Sequence, residues 1–367
     1  MTNKVSSIQI SMLFALTIGS LFLGMSDNIL INISSNSVLI AMLIGLVIGM
    51  IPVFMYMKIN NTKSNLNIFQ KNKYLFGNIL GNILNMLIII LILLSLISIF
   101  GSLISFLIAK YLIYTPFLLI GTFTLITILI ISKNLKTLVR VFQILFFISL
   151  ILVSVIELLL FRYIEVDNIL PIFTTNTIDK LVNGSLFYVS VTTFSILFLL
   201  SIKKDEISNN KKHNRNIFIL YIIASLSLVI VMFYIMSCYG YDMASIFRYP
   251  AYVLLKKIII SEGNLHIENI LAFRWIFYMF SLACLLTFSL KTAINEYNMS
   301  NKIKKVLLYT LSSVSLILTY LIKYINSVPE IIINFKNYFM YIIALPSFII
   351  LTIIFIRCRC LFYKEKN

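Results

Sequence analysis

The run Leu87–Ile108, LIIILILLSLISIFGSLISFLI, carries no charge and shows no strand-like alternation of apolar and polar residues. At 1.5 Å per residue it is long enough to cross a hydrocarbon layer of about 30 Å. Unpaired backbone groups in hydrocarbon cost several kcal/mol, so a spanning segment is either a helix or part of a closed barrel, and a barrel strand alternates over about ten residues. The run therefore reads as a transmembrane helix. Ala41–Met57 reads the same way.

Composition extends this reading to the whole chain. Hydrophobic residues make up 60% and charged residues 12%, with a mean hydropathy of +1.00, which excludes an ordinary water-soluble globule. The 367 residues are expected to form a single integral membrane domain, 1–367. A window near twenty residues places spans at roughly 8–31, 37–57, 78–109, 113–132, 138–161, 184–202, 217–238, 268–291, 304–325 and 338–357. The fold class expected is all-α and polytopic, with about ten transmembrane helices. The third run exceeds one perpendicular crossing, so it tilts or continues beyond the membrane. The first is not a cleavable signal peptide: Lys4 precedes an apolar stretch that passes Gly24 with no small-residue cleavage site, and further spans follow.

Charge sets the expected orientation. With the N-terminus inside, inner segments hold 21 of the 30 Lys and Arg residues, from Lys4 through the cluster Lys203, Lys204, Lys211, Lys212 and Arg215 to Lys366. Basic residues accumulate on the cytoplasmic side, which places both termini there. The net charge of +17 punctuates gaps between apolar runs, leaving no contiguous basic and aromatic surface for nucleic acid. Its expected partner is anionic membrane lipid. Of the four cysteines, Cys358 and Cys360 form only a CxC, short of a closed four-ligand metal set, so no metal or other cofactor is expected. No phosphate-binding glycine loop, HExxH or nucleophile elbow is present, and the reading is not an enzyme.

The two outer loops 162–183 and 239–267 are long and hold five of the 13 acidic residues, Glu165, Asp167, Asp179, Asp242 and Glu262, and short helices are expected there. Ten spans with long fifth-to-sixth and seventh-to-eighth connections suit a five-plus-five inverted repeat, broken at spans one and six. Span one carries Gly19, Ser20, Gly24, Ser26 and Asp27. Span six opens with Gly184 and Ser185 and runs on through Ser190, Thr192, Thr193 and Ser195. Small and hydroxyl residues in corresponding places of two halves point to a substrate site, because a half-helix N-terminus favours an anion and hydroxyls fix orientation. The candidate ligand-binding set is Gly19, Ser20, Gly24, Ser190, Thr192, Thr193 and Ser195, with Ser102 and Thr287 as weaker members. The competing reading is close packing at the glycines, and interhelical or back-bonded hydroxyls.

Other polar residues carry alternatives. Glu157 lies within an apolar run, and snorkelling to the outer interface near Arg162 is weighed against a buried functional role. Asp27 is either a helix-end carboxylate or a partner for a ligand amine. Tyr249-Pro250 with Lys256 and Lys257 reads as an amphipathic outer segment, either interfacial or a docking surface. His213 and His266 read as exposed loop residues.

Several short patterns along nearly the whole chain resemble one family: Ile8-Gln9-Ile10 leading to Gly19-Ser20, Asn168-Ile169-Leu170-Pro171, Tyr249-Pro250 before a basic segment, and Glu268-Asn269 leading to Trp275. The resemblance is to the B-subunit of spore germinant receptors, a spore permease branch of the amino acid/polyamine/organocation transporter superfamily. It implies a LeuT-like fold, the inner membrane of a spore, A-type and C-type receptor subunits as partners, and a small-molecule germinant such as an amino acid. The chain departs from the family at three points. No Pro stands near Gly24 or Met25, the usual Gly-Phe-Glu of span six is Thr193-Phe194-Ser195, and a Trp expected after span one is missing. The resemblance implies a nutrient-sensing receptor subunit; an amino acid transporter of the same superfamily and a degenerate, non-binding scaffold are the alternatives.

Overall fold

The computed structural model describes residues 4–22, 26–172, 177–258, 267–325 and 338–366. It is an all-α bundle in which, among the described residues, eight helices are long and apolar enough to cross a bilayer, with two shorter apolar helices at Ser7–Ile18 and Phe117–Ile131. In chain order the helices are α1 (Ser7–Ile18), α2 (Asp27–Ser34), α3 (Val38–Asn61), α4 (Ile68–Lys110), α5 (Phe117–Ile131), α6 (Leu135–Leu160) and α7 (Thr177–Thr193). Then come α8 (Ile196–Leu199), α9 (Asn210–Ile246), α10 (Pro250–Leu255), α11 (Ile267–Asn295), α12 (Asn301–Ile325) and α13 (Leu345–Lys366), the last preceded by a π-helical stretch at Tyr338–Ala344.

The central helix is α1. Every residue from Ile10 to Ile18 is buried, and α6, α7, α9 and α11 all pack on it. A helix apolar all round has no lipid face of its own and goes to the middle of the bundle. Its start is fixed by a parallel pairing of β1 (Val5–Ser6) with β2 (Ile207–Ser208), and by Gln9, whose Oε1 accepts from Ser6 N at 3.0 Å. By contrast, only 17% of the apolar window of α6 and 22% of that of α12 is buried, so these helices present their side chains to lipid.

Two of the long helices turn sharply at glycines that only glycine satisfies. In α4, Gly77 has φ 78° and ψ 179°, and in α9, Gly240 has φ 66° and ψ 176°. The leg of α4 before Gly77 folds back on the leg after it: Asn72 Nδ2 donates to Asn85 Oδ1 at 2.9 Å, and Asn85 Nδ2 donates to the Phe69 carbonyl at 3.0 Å. This locates the true start of the long third run. The leg after Gly77 is about 50 Å long at 1.5 Å per residue, more than a perpendicular crossing requires. At the end of α3, buried Lys71 Nζ donates to the Ile59 carbonyl at 2.8 Å, satisfying a terminal carbonyl with a cation.

The most extensive helix pair is α3 with α7, and glycines of α3 face aromatic rings of α7 and α9. A Cβ at Gly45 would fall 2.8 Å from Tyr188 Cδ1, and one at Gly49 only 2.0 Å from Tyr221 Oη. That hydroxyl donates to the Leu46 carbonyl at 3.0 Å, and Tyr188 Oη donates to the Ser225 carbonyl at 2.8 Å. Such close backbone approach is what small residues give membrane helices.

Gly49→Ala is therefore expected to displace the Tyr221 phenol and to destabilise the detergent-solubilised protein by about 1–3 kcal/mol, as overpacking does. In thermal unfolding the double variant Gly49→Ala/Tyr221→Phe should recover part of that loss, because the clashing oxygen is gone; simple additivity would contradict this packing.

Candidate functional site

The first span is interrupted. α1 stops at Ile18, and residues 19–22 turn: Ser20 N and Ser20 Oγ both donate to the Thr17 carbonyl, at 3.3 and 2.6 Å, and Ser26 N reaches back to the Leu21 carbonyl at 3.3 Å before α2 begins. Gly19 is not in a left-handed conformation (φ −82°), so glycine is not required there by backbone freedom. What requires it is the Tyr278 ring of α11, whose Cδ2 would stand 2.7 Å from an added Cβ. Gly24 lies outside the described residues.

The segment read as the sixth span, Thr177–Leu199, carries a short turn near its end. α7 ends at Thr193, Phe194 and Ser195 form a turn, and the four-residue α8 follows. The local cause lies in the hydroxyls. Ser190, Thr192 and Thr193 donate to the carbonyls of Leu186, Tyr188 and Val189, each at 2.8 Å, and such back-bonding bends helices. These three hydroxyls thus spend their protons on their own helix, as the packing alternative for them holds.

The two interruptions meet. Thr17 Oγ1 and Ser195 Oγ lie 3.1 Å apart, both residues fully buried. Thr17 Oγ1 also donates to the Phe14 carbonyl at 2.7 Å, so in this pair the proton comes from Ser195. Apolar rings surround the junction: Phe22 packs edge-on against Tyr188 with centroids 5.8 Å apart, and Phe194 against Phe339 at 5.0 Å. Main-chain groups at the second turn find short-range partners in this protein-lined interior: Leu197 N donates to the Phe194 carbonyl at 3.4 Å, and Phe198 N and Leu199 N to the Ser195 carbonyl at 3.1 and 3.2 Å.

Of the expected set, Gly19, Ser20, Thr193 and Ser195 stand at or next to the breaks. Ser102 donates to the Ser98 carbonyl at 2.7 Å, and Thr287 to the Ala283 carbonyl at 2.9 Å; neither contact reaches the junction. Thr17 was missed, although a hydroxyl one turn ahead of Gly19-Ser20 was visible as a signal. Asp27, fully buried at the start of α2, accepts from Asn28 N at 3.0 Å and from Ala251 N of α10 at 3.4 Å. Asn28 Nδ2 donates to the Ser245 and Phe247 carbonyls at 2.8 and 2.7 Å, so α2 is tied to the end of α9.

Two further expectations are corrected. His213 is not an exposed loop residue: it is fully buried in α9, with Nε2 2.9 Å from Tyr56 Oη and Nδ1 3.4 Å from Ser7 Oγ. His266 lies outside the described residues. The Tyr249-Pro250 segment is not a surface amphipath either, because Pro250, Ala251, Tyr252, Leu254 and Leu255 are all buried. Among the described residues no group of three or more His, Cys, Asp or Glu side chains gathers as metal ligands.

Fold and site together define a polytopic helical membrane protein in which the end of α1 and the turn between α7 and α8 are joined by the Thr17–Ser195 hydrogen bond. The family model for spore germination proteins, the spore permeases, matches residues 4–330, and the chain belongs to that family. No curated protein matches the chain by sequence comparison.

The junction makes a quantitative expectation. Thr17→Val and Ser195→Ala should each cost about 1 kcal/mol in thermal unfolding, and a double-mutant cycle should return a coupling of about 0.6 kcal/mol, the typical membrane value. Zero coupling would mean that the two breaks are not bonded.

Proposed function

We propose that this chain is the nutrient-sensing membrane subunit of a spore germination receptor, resident in the inner spore membrane with both termini cytoplasmic. On this reading the ten spans form a LeuT-like pair of inverted five-helix repeats, and a small-molecule germinant such as an amino acid binds where spans one and six are broken. Gly19, Ser20, Thr193 and Ser195 line that site with Thr17; Ser190 and Thr192 of α7, Ser102 of α4 and Thr287 of α11 complete the proposed set, together with Gly24 outside the described residues. A-type and C-type receptor subunits receive the signal.

The observation that carries this reading is the Thr17–Ser195 hydrogen bond. A ligand with its own donor and acceptor can replace that single bond by two. It thereby biases both broken helices at once, which is what a sensor requires: differential contacts in two states. The replacement of the family's usual span-six Glu by Ser195 removes a charge from the site and favours hydrogen bonding over ion pairing as the means of recognition.

In the spore-forming host, deletion of the gene should abolish germination in response to at least one member of a panel of amino acids, sugars and salts. Ser195→Ala should raise the concentration needed for a half-maximal response by roughly fivefold, the equivalent of about 1 kcal/mol. Unchanged responses to every nutrient would remove the proposal, and saturable uptake of a labelled amino acid by the chain alone in proteoliposomes would replace sensing with transport.

A further inference from the structure

The fold gathers four cations that the sequence disperses. Lys110 ends α4, Arg248 and Lys256 bracket α10, and Lys323 lies in the last turn of α12. Lys110 Nζ stands 4.5 Å from the centroid of the Tyr252 ring and 5.4 Å from that of Tyr249. Lys256 Nζ shares the Tyr252 ring at 5.6 Å, and the Arg248 guanidinium shares the Tyr249 ring at 5.3 Å. Two rings of one short segment thus hold three cations side by side. The charges of Lys256 and Arg248 are felt at Lys110, and that of Arg248 at Lys323, whose Nζ lies 4.6 Å over the Phe117 ring at the start of α5. Among the described residues no carboxylate forms an ion pair with any of the four, and none of them donates a hydrogen bond. The carboxylates whose field reaches the two tyrosines are Asp27 and Glu268, and Asp27 is already engaged by Asn28 N and Ala251 N.

From this placement we infer that the cluster binds the phosphate of an anionic membrane lipid, whose acyl chains lie along the exposed apolar residues of α5 and α12. Like charges on flexible stems separate into water unless something gathers them, and a phosphate is matched by a guanidinium fork together with ammonium point charges. The tyrosines that carry the cations belong at headgroup depth, where aromatic rings anchor membrane proteins. Next to Phe117 and Lys323, Leu118, Leu119, Leu321 and Ile322 are exposed and continue the site into hydrocarbon. A free phosphate would use the cations and leave that wall unused; a lipid uses both. Lysines that snorkel singly, each serving its own helix end, account for Lys110 or Lys323 alone but not for three cations sharing two rings. A lipid held by Lys110 and Lys256 ties α4 to α10, and α10 in turn donates Ala251 N to Asp27 of α2. The inference stands whatever binds at the helix breaks.

The experiment titrates the detergent-solubilised full chain with dioleoylphosphatidylglycerol, with dioleoylphosphatidylcholine and with inorganic phosphate, and reads the melting temperature. Phosphatidylglycerol should raise it saturably, since a ligand that binds the folded state stabilises it. Phosphatidylcholine should need at least roughly fivefold higher concentrations, because its own cation faces the cluster, and inorganic phosphate at least roughly tenfold, because it has no chains. Arg248→Gln/Lys256→Gln should erase the difference between the two lipids, while melting no lower than the parent without lipid, because it gives up mutually repelling charges. Lys211→Gln/Lys212→Gln, the same change in charge at the start of α9, should keep the difference. Equal stabilisation of the parent by both lipids would overturn the proposal, as would a preference that survives Arg248→Gln/Lys256→Gln or disappears equally in Lys211→Gln/Lys212→Gln. Saturation by inorganic phosphate at the same concentration as phosphatidylglycerol would make a free anion the ligand and overturn the assignment to lipid.

Discussion

The structure rests on one constraint: in hydrocarbon, every main-chain N–H and C=O must find its partner inside the protein. Unbroken helices meet it trivially, and most of this chain consists of them. The two interrupted spans do not, and the chain resolves the difficulty by placing both interruptions in the protein interior, against each other. That α1 is buried on all sides follows from the same requirement, because a helix ending in mid-bilayer cannot face lipid at its end. Ser20 supplies a hydroxyl to the Thr17 carbonyl that the helix no longer serves, and Ser195 supplies one to the Thr17 side chain.

Close packing follows from that arrangement. If broken helices are to lie at the centre, their neighbours must approach closely enough to exclude lipid, and residues without side chains make the approach. Tyr278 lies on Gly19, Tyr188 on Gly45 and Tyr221 on Gly49, each ring filling the space a methyl group would claim. The tyrosine hydroxyls then satisfy main-chain carbonyls, at Leu46 from Tyr221 and at Ser225 from Tyr188. The same ring positions serve packing and hydrogen bonding. Gly184 plays the corresponding part against Ser34 and Ala41, where α2 and α3 approach α7.

Features that depend on local composition were legible in the sequence. The apolar runs marked the helices, the hydroxyl run Ser190–Ser195 marked the second break because back-bonding is a property of neighbours within one turn, and Gly19-Ser20 marked the first. Features that depend on partners far apart in the chain were not. Thr17 acquires its significance only through Ser195, 178 positions away. His213 follows a run of lysines and reads as a loop, but Tyr56 and Ser7 arrive from α3 and α1 to bury it. Arg274 hides in an apolar stretch between Ala272 and Ile276, and nothing within its own turn announces that it is buried. The hydroxyls of Ser102 and Thr287 bond to the preceding turn, and residue type alone does not separate such a bond from a ligand contact.

The central claim is that the first and sixth spans are discontinuous inside the bundle and that a ligand acts there. Hydrogen–deuterium exchange of the chain in lipid nanodiscs tests it most directly, read at the amides of Leu21 and Phe22 and of Phe194 to Leu197. The account predicts that these amides exchange faster than those of α1 and of the body of α7, and that they slow when the nutrient that triggers germination is added. Uniform slow exchange from Ser7 through Ser34 and from Thr177 through Leu199, indifferent to every nutrient, would contradict it.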